Sequence, residues 1–270
     1  MKNLGVNFDN DRGEVKKLQR LLKKARFSPG LIDGVFGPAT HAAVIAFQKS
    51  KDLLPDGIVG PRTAFAIGLT ESKIISSALP YFTTTNVSHM FPFTQVDNIK
   101  ENLPYILDSL TAHSLVEKPM VLMAMSTIRA ETESFRPISE YKSKYNTSPG
   151  GHPFDLYDYR TDIGNSRKGH GEKYKGRGFI QLTGRYNYEV FGKKIGLGRK
   201  LLTKPELANR KQYAAELLAV FLKDKEKPIK LALLQNNLAE ARRLVNGGSH
   251  GLTRFMETFR IGDERIPEQV

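Results

Sequence analysis

One eight-residue phrase occurs twice near the start of the chain and constrains the fold more than any other feature. DGVFGPAT (residues 33–40) returns as DGIVGPRT (residues 56–63), 23 residues later. Asp and Gly favour a tight turn. A Gly-Pro pair then suits a helix start, because a proline in the first turn gives up an N–H that has no partner there. Each copy therefore reads as a turn feeding a helix. Upstream, EVKKLQRLLKKARF sets Val15, Leu18, Leu21, Leu22 and Ala25 at helical spacing with basic residues opposite, and Asp11 stands at the N-cap. Between the copies, THAAVIAFQKSKDL turns Ala43, Val44 and Phe47 inward. The expectation is a three-helix module over residues 11 to about 69.

Beyond residue 70 the pattern changes. IISSALPYF reads as a short helix or an extended connector, and TTTNVSHMFPF is rich in Thr, Ser and Pro, as a linker or surface loop would be. The chain divides into residues 1–70, a linker at 71–89 and a second domain at 90–270. That second domain is dominated by helical patterns: VDNIKENLPYILDSLTAHSL, KPMVLMAMSTIRAETESF, PELANRKQYAAELLAVFLKDK and NNLAEARRLVNGG. Pro104 kinks the first of these or begins a new segment. Alternating β patterns are scarce, so the fold class is mainly α.

Composition narrows the function. The chain has no cysteine, which excludes disulfides, thiolate metal sites and cysteine nucleophiles. Its six histidines are scattered, with no HExxH or close pair, which speaks against a zinc amidase or endopeptidase. No cofactor and no metal are expected. No apolar run reaches the roughly 18 residues of a membrane span. MKNLGVNFDNDRGEVKK has no apolar signal core, so the expected starting point is the cytoplasm. The net charge of +13 favours polyanions, among them acidic wall polymers and anionic outer-envelope components. No nucleic-acid motif or long basic run accompanies it, and a monomer is expected.

The chemistry concentrates between residues 120 and 188. At about 100° per residue, Glu131 falls on the stripe of Val121, Ala124, Met125, Ile128 and Phe135, and Glu133 on the opposite side. A carboxyl facing apolar surroundings is raised in pKa, which suits a general acid. A plain salt bridge from Glu131 to an arginine explains the same placement. Glycoside hydrolysis needs a second carboxylate. Glu140, beyond Pro137, is a candidate, and Asp155, Asp158, Asp162 and Glu172 rival it on spacing alone.

Two resemblances sharpen this reading. VKKLQRLL, the two DGxxGPxT copies and AFQKSKDLLPDGIVG make the first segment similar to type 1 peptidoglycan-binding modules. That resemblance implies a wall-binding surface near the turns and the second helix, in the neighbourhood of Asp33, Phe36, Asp56 and Arg62; Phe36 is equally a core candidate. AETESF, YKGRGFIQLTGRYNY and VNGG make residues 90 to about 259 resemble the family 19 glycoside hydrolases, in their endolysin-like branch. The family's usual His before the acid is Ala130 here. The resemblance implies a larger lysozyme/chitinase-like helical catalytic domain, with Glu131 as general acid, Glu140 as general base and Thr183 holding the attacking water. It implies Gln181, Asn187 and Asn246 as substrate contacts, and Tyr174 and Arg177 on the groove wall.

The expected function is then an inverting peptidoglycan hydrolase. It would cleave β-1,4 bonds between N-acetylmuramic acid and N-acetylglucosamine, act on glycan strands of the wall, and be released by a partner holin. A lytic transglycosylase, a chitinase and a non-catalytic wall-binding protein are the alternatives.

Overall fold

A computed structural model describes residues 3–6, 8–51, 53–70, 77–246 and 251–267. Among these residues the regular structure is helical apart from one small two-stranded sheet, so the fold is mainly α as expected.

Helices α1 (Arg12–Lys24), α2 (Pro38–Ser50) and α3 (Pro61–Ile67) form the N-terminal unit. Asp11 caps α1, its Oδ1 accepting the Glu14 N–H at 2.9 Å. Pro38 and Pro61 occupy the first turns of α2 and α3, where their missing N–H groups cost nothing. Val15, Leu18, Leu22, Val44, Phe47 and Val59 build the core, and Phe36 joins it.

The repeated turns are tied by two buried glutamines that the motif does not contain. Gln19 Nε2 lies 3.0 Å from Asp33 Oδ1, 3.1 Å from Val35 O and 3.2 Å from Thr40 Oγ1, while its Oε1 accepts the Gly34 N–H. Gln48 repeats this with Asp56 Oδ1 at 2.8 Å, Ile58 O at 2.9 Å, Thr63 Oγ1 at 3.1 Å and the Gly57 N–H. A buried amide satisfied at both ends fixes each turn in one geometry. Gly57 is required twice over: its φ is +73°, and a Cβ would lie 2.0 Å from the His41 ring.

The larger unit holds α4 (Thr84–Met90), α5 (Val96–Ala112), α6 (Lys118–Glu131), α7 (His170–Lys173), α8 (Arg185–Lys194), α9 (Lys200–Thr203), α10 (Lys211–Asp224), α11 (Glu226–Leu234), α12 (Leu238–Asn246) and α13 (Leu252–Arg265). α5 runs unbroken through Pro104. β1 (Ile138–Ser139) pairs antiparallel with β2 (Arg177–Gly178), Ile138 opposite Gly178. α6 is the axis: every residue from Met120 to Ala130 is buried, and α13, α10 and α11 pack against it. A mostly apolar helix buried on all sides belongs inside a domain.

Two sequence expectations change here. The segment read as linker at 71–89 is in part core: Ala78, Phe82 and Val87 are buried in the large cluster, and the Ala78 N–H donates to Val116 O at 2.8 Å. Residues 71–76 lie outside those described. Glu133 is not on the far face of α6, because the helix ends at Glu131 and Glu133 follows with φ +51°.

The two units meet through Arg62. Its guanidinium reaches Glu226 Oε1 at 2.5 Å, Glu117 Oε1 at 3.3 Å and Ser114 O at 2.7 Å. Lys230 bonds both glutamates from below, and Lys223 adds a contact to Glu226 at 2.7 Å.

Candidate active site

Glu131 closes α6, so a fully packed helix presents its carboxylate. The side chain is 12% exposed, and its Oε1 accepts from Arg242 Nη2 at 2.7 Å. Arg242 comes from α12 and is completely buried, its guanidinium 5.8 Å from the centre of the Phe255 ring. Of the two readings the sequence left open, an acid facing apolar surroundings and a salt bridge to an arginine, the structure shows the salt bridge, so the carboxylate stands in an ion pair and not in a purely apolar pocket. Glu131 Oε2 has no hydrogen-bond partner among the described residues. One oxygen is thus fixed by charge, and the other remains for a ligand.

The neighbouring strap is built separately. Glu133 Oε1 accepts from Arg129 at 2.7 Å and its Oε2 from Arg254 at 2.8 Å, which holds its carboxyl below the ordinary range; the Arg129 bond is the larger cause. Ala130 has its own structural reason. Gly251, at the start of α13, would meet Ala130 O at 2.9 Å if it carried a Cβ, so the chain passes close over a small side chain there.

Glu140 follows β1 and sits on the backbone of the Gly-rich segment. Its N–H donates to Gly176 O at 2.8 Å, and its Oε2 accepts the Gly176 N–H at 3.1 Å. Oε1 accepts from Asn146 Nδ2 at 2.9 Å and from the Tyr157 hydroxyl at 2.8 Å. Burial first, then the hydrogen bond to Glu140 and its charge, push the Tyr157 phenol well above the ordinary tyrosine value, so it remains a donor. A Cβ on Gly176 would press on Gln181 Oε1 at 2.8 Å and Glu140 Oε2 at 3.2 Å, which places these two groups side by side and explains the glycine.

The other sequence candidates fall into two classes. Gln181, at φ +48°, spends its Nε2 on Ile138 O (3.1 Å) and Gly178 O (3.0 Å), leaving Oε1 toward Gly176. The Thr183 hydroxyl donates to Gln181 O at 2.8 Å, and Asn187 Nδ2 donates to Thr183 O at 2.8 Å, so these residues pin the turn into α8. Tyr174 is 3% exposed and packs on Tyr188 in a core cluster, which removes its ring from any groove wall. Arg177 is buried as well; its Nη1 donates to Lys173 O, Lys175 O and the Tyr188 hydroxyl, so it ties the Gly-rich loop from behind. Burial raises the Tyr188 phenol to about 12. Asn246 ends α12, and its side chain lies outside the described residues, as do Gly247 and Gly248 of the VNGG motif.

Three of the four acidic rivals of Glu140 are committed elsewhere, and the fourth, Glu172, is exposed on α7. Asp155 is held by Ser148, Asp158 by the Gly169 and Gly171 N–H groups and His152, and Asp162 by Arg160. In the N-terminal unit, Asp33 and Asp56 accept from the turn backbone and the two glutamines, and Phe36 is core. Arg62 faces the larger unit, which corrects its placement on a free wall-binding surface. Sequence reasoning missed Asn146, Tyr157 and Arg242, whose partnerships span long separations or lie in an irregular loop.

Residues 11–67 match the family model described as a putative peptidoglycan binding domain. Over 117 residues the chain is 30% identical to a glycosyl hydrolase family 19 domain-containing protein of Haemophilus influenzae, covering 43% of this chain and 54% of that protein. The chain thus spans about half the length of that curated relative. Among solved structures, chitinase C from Streptomyces griseus aligns with a TM-score of 0.46 at 19% identity, over 70% of this chain and 78% of that one. A Burkholderia AP3 phage endolysin aligns over 98% of this chain and 99% of its own with a TM-score of 0.26 at 18% identity. Residues 11–67 are thus a peptidoglycan-binding-type module, in a chain that is similar over 117 residues to a family 19 domain-containing protein.

Proposed function

We propose that the chain is a peptidoglycan hydrolase that cuts the glycan strand, with Glu131 as general acid and Glu140 as general base. The observation that carries this reading is the placing of Glu140 and Gln181 side by side against Gly176, in a chain whose first 67 residues contain a wall-binding-type module. The N-terminal module raises the local concentration of the cutting unit on its polymer. Its units are taken as residues 1–70 and 90–270, with residues 78–90 packed onto the second.

The proposed reaction is an inverting one. Arg242 fixes Oε1 of Glu131, so a proton on Oε2 can pass to the leaving glycosidic oxygen. Thr183 commits its own proton to Gln181 O and is left to accept one proton of a water. Glu140 accepts the other as that water attacks from the opposite face, and no covalent sugar intermediate is required. The bond is assigned as the β-1,4 link between N-acetylmuramic acid and N-acetylglucosamine. The role is that of an endolysin, reaching the wall after a holin opens the membrane. Among the described residues no helix is long and apolar enough to cross a membrane.

One observation favours a second reading. Three donors already hold Glu140, as they would a purely structural carboxylate. A lytic transglycosylase would then use Glu131 alone. Digestion of purified peptidoglycan by wild type, Glu131→Gln and Glu140→Gln, with products read by mass spectrometry, separates these. Hydrated reducing ends lost in both variants support the proposal. Anhydro-sugar ends retained in Glu140→Gln give the transglycosylase. Free peptides with intact glycan would sink both.

A further inference from the structure

Residues 141–145 read YKSKY, and all five are exposed. Tyr141 is 76% and Tyr145 79% exposed, an unusual cost for two large rings in one pentad. The pentad is not slack. Asn146, fully buried, donates from Nδ2 to Tyr141 O at 2.8 Å and to Glu140 Oε1 at 2.9 Å, and its Oδ1 accepts the Ser143 N–H at 2.8 Å. Ser143 Oγ in turn accepts the Tyr145 N–H at 3.3 Å. One amide side chain therefore holds both the loop backbone and the candidate base.

The charges of the pentad are open. Lys142 and Lys144 meet no carboxylate among the described residues, and Lys144 Nζ stands 5.2 Å from the Tyr145 ring centre. Asp155, Asp158 and Asp162 are bonded instead to Ser148, to the Gly169 and Gly171 N–H groups with His152, and to Arg160, and the exposed Glu172 pairs with neither lysine. The loop thus presents flat rings and ammonium groups without a carboxylate partner beside Glu140. Rings stack on the C–H faces of sugars, and ammonium groups meet carboxylates. A neutral glycan uses only the rings. A glycan bearing carboxylates uses both.

We propose that residues 141–145 form a subsite for the carboxylates of an acidic, peptide-bearing glycan strand, with Lys142 and Lys144 selecting it over a neutral N-acetylglucosamine polymer. This rests on the reading of the groove as a glycan-cutting site. Phosphate-bearing polymers such as single-stranded DNA would also be drawn to two lysines, but nothing here reads a base, and the test separates them.

The test uses the full chain carrying Glu131→Gln, so that binding is read without turnover, with and without Lys142→Gln/Lys144→Gln. The probes are soluble glycan strands with stem peptides released from purified peptidoglycan, the N-acetylglucosamine hexamer, and a single-stranded oligonucleotide. Comparing variants in the full chain cancels any contribution of the N-terminal module. The lysine variant should weaken the acidic strand relative to the neutral hexamer by about fivefold, the scale of an exposed ion pair, and flatten the salt dependence of the acidic strand. Tyr141→Ala/Tyr145→Ala should weaken both sugars. An unchanged acidic-to-neutral ratio overturns the proposal, as does tighter binding of the oligonucleotide than of the acidic strand. Cleavage is scored separately in the Glu131 protein. No cleavage with the preference intact removes only the hydrolase reading; cleavage with no preference removes only the subsite.

Discussion

Glu131 and Glu140 are ordered by opposite means. Glu131 is the last residue of a helix buried along its length, and a single buried guanidinium fixes it. Glu140 belongs to no helix; two neutral side chains and one backbone N–H hold it on a loop. Order at the first comes from packing plus one charge, at the second from several neutral hydrogen bonds. Removing the charge should therefore disturb the protein at one carboxylate and only the chemistry at the other.

The largest effects test this directly. Glu131→Gln and Glu140→Gln should each lower the rate of wall digestion by at least about 100-fold, the lower bound for a lost acid or base. Only Glu131→Gln should also lower the melting temperature, because it strips the charge from a fully buried arginine's partner. Equal melting temperatures for the two variants would break the comparison. Next in size is Arg242→Met. Breaking a buried pair from one side costs about 3–5 kcal/mol, so chemical denaturation should show a loss of that order, with wall digestion falling as well. A loss under about 1 kcal/mol would show that packing alone places Glu131.

Glu226 sharpens the contrast, being a paired carboxylate where Arg62 of the N-terminal unit meets the larger one. Burial works to raise its carboxyl, yet Lys230, Lys223 and Arg62 outweigh burial and hold it at about 2 instead of 4.5. A carboxyl depressed in the folded state stabilises above its unfolded value. That contribution should be present above about pH 4.5 and be lost as pH falls toward 2. Its full size is roughly 3 kcal/mol as an upper bound, since Glu117 still pairs with Arg62 and Lys230 when Glu226 is gone. Glu226→Gln should be less stable than wild type at pH 7, and the two stability curves should converge in acid. Its rate on soluble glycan should not change. Curves that stay parallel to pH 2 would mean that the cluster does not titrate as this pairing requires.

How far the sequence could be read follows the same division. The repeated turns were legible because Asp-Gly and Gly-Pro act within a few residues. Gln19 and Gln48, which lock those turns, were not, since a polar residue on a helix shows nothing of what it will meet in the folded chain. The inward placement of Glu131 and a salt bridge to some arginine were both readable from helical spacing, but which arginine was not: the pair is separated by 111 positions. The Gly-rich segment was recognised, yet Tyr174 and Arg177 were assigned to the groove when packing turns them into the core. Periodicity reports faces of helices, and it cannot distinguish a residue that lines a groove from one that supports it from behind. The residues read as linker failed for a related reason: short apolar runs between Thr and Ser residues give no period, although Phe82 and Val87 are fully core.

The smallest effect is the most specific to Glu140. Tyr157→Phe keeps the ring and removes one hydroxyl, so stability should change by only about 1 kcal/mol, the net worth of one hydrogen bond. The phenol is a donor throughout the working pH range, because burial and then Glu140 raise its ionisation well above the ordinary value. Losing it leaves Oε1 with Asn146 alone, and the carboxylate gains freedom to turn from the attacking water. The turnover rate on peptidoglycan should fall by about tenfold with KM little changed, since a positioning loss acts on the transition state and not on strand binding. The same substitution should leave binding of acidic strands by the Glu131→Gln protein intact. If turnover were unaffected, the three donors would be holding a structural carboxylate, and Glu131 would be left as the only reacting group of the pair.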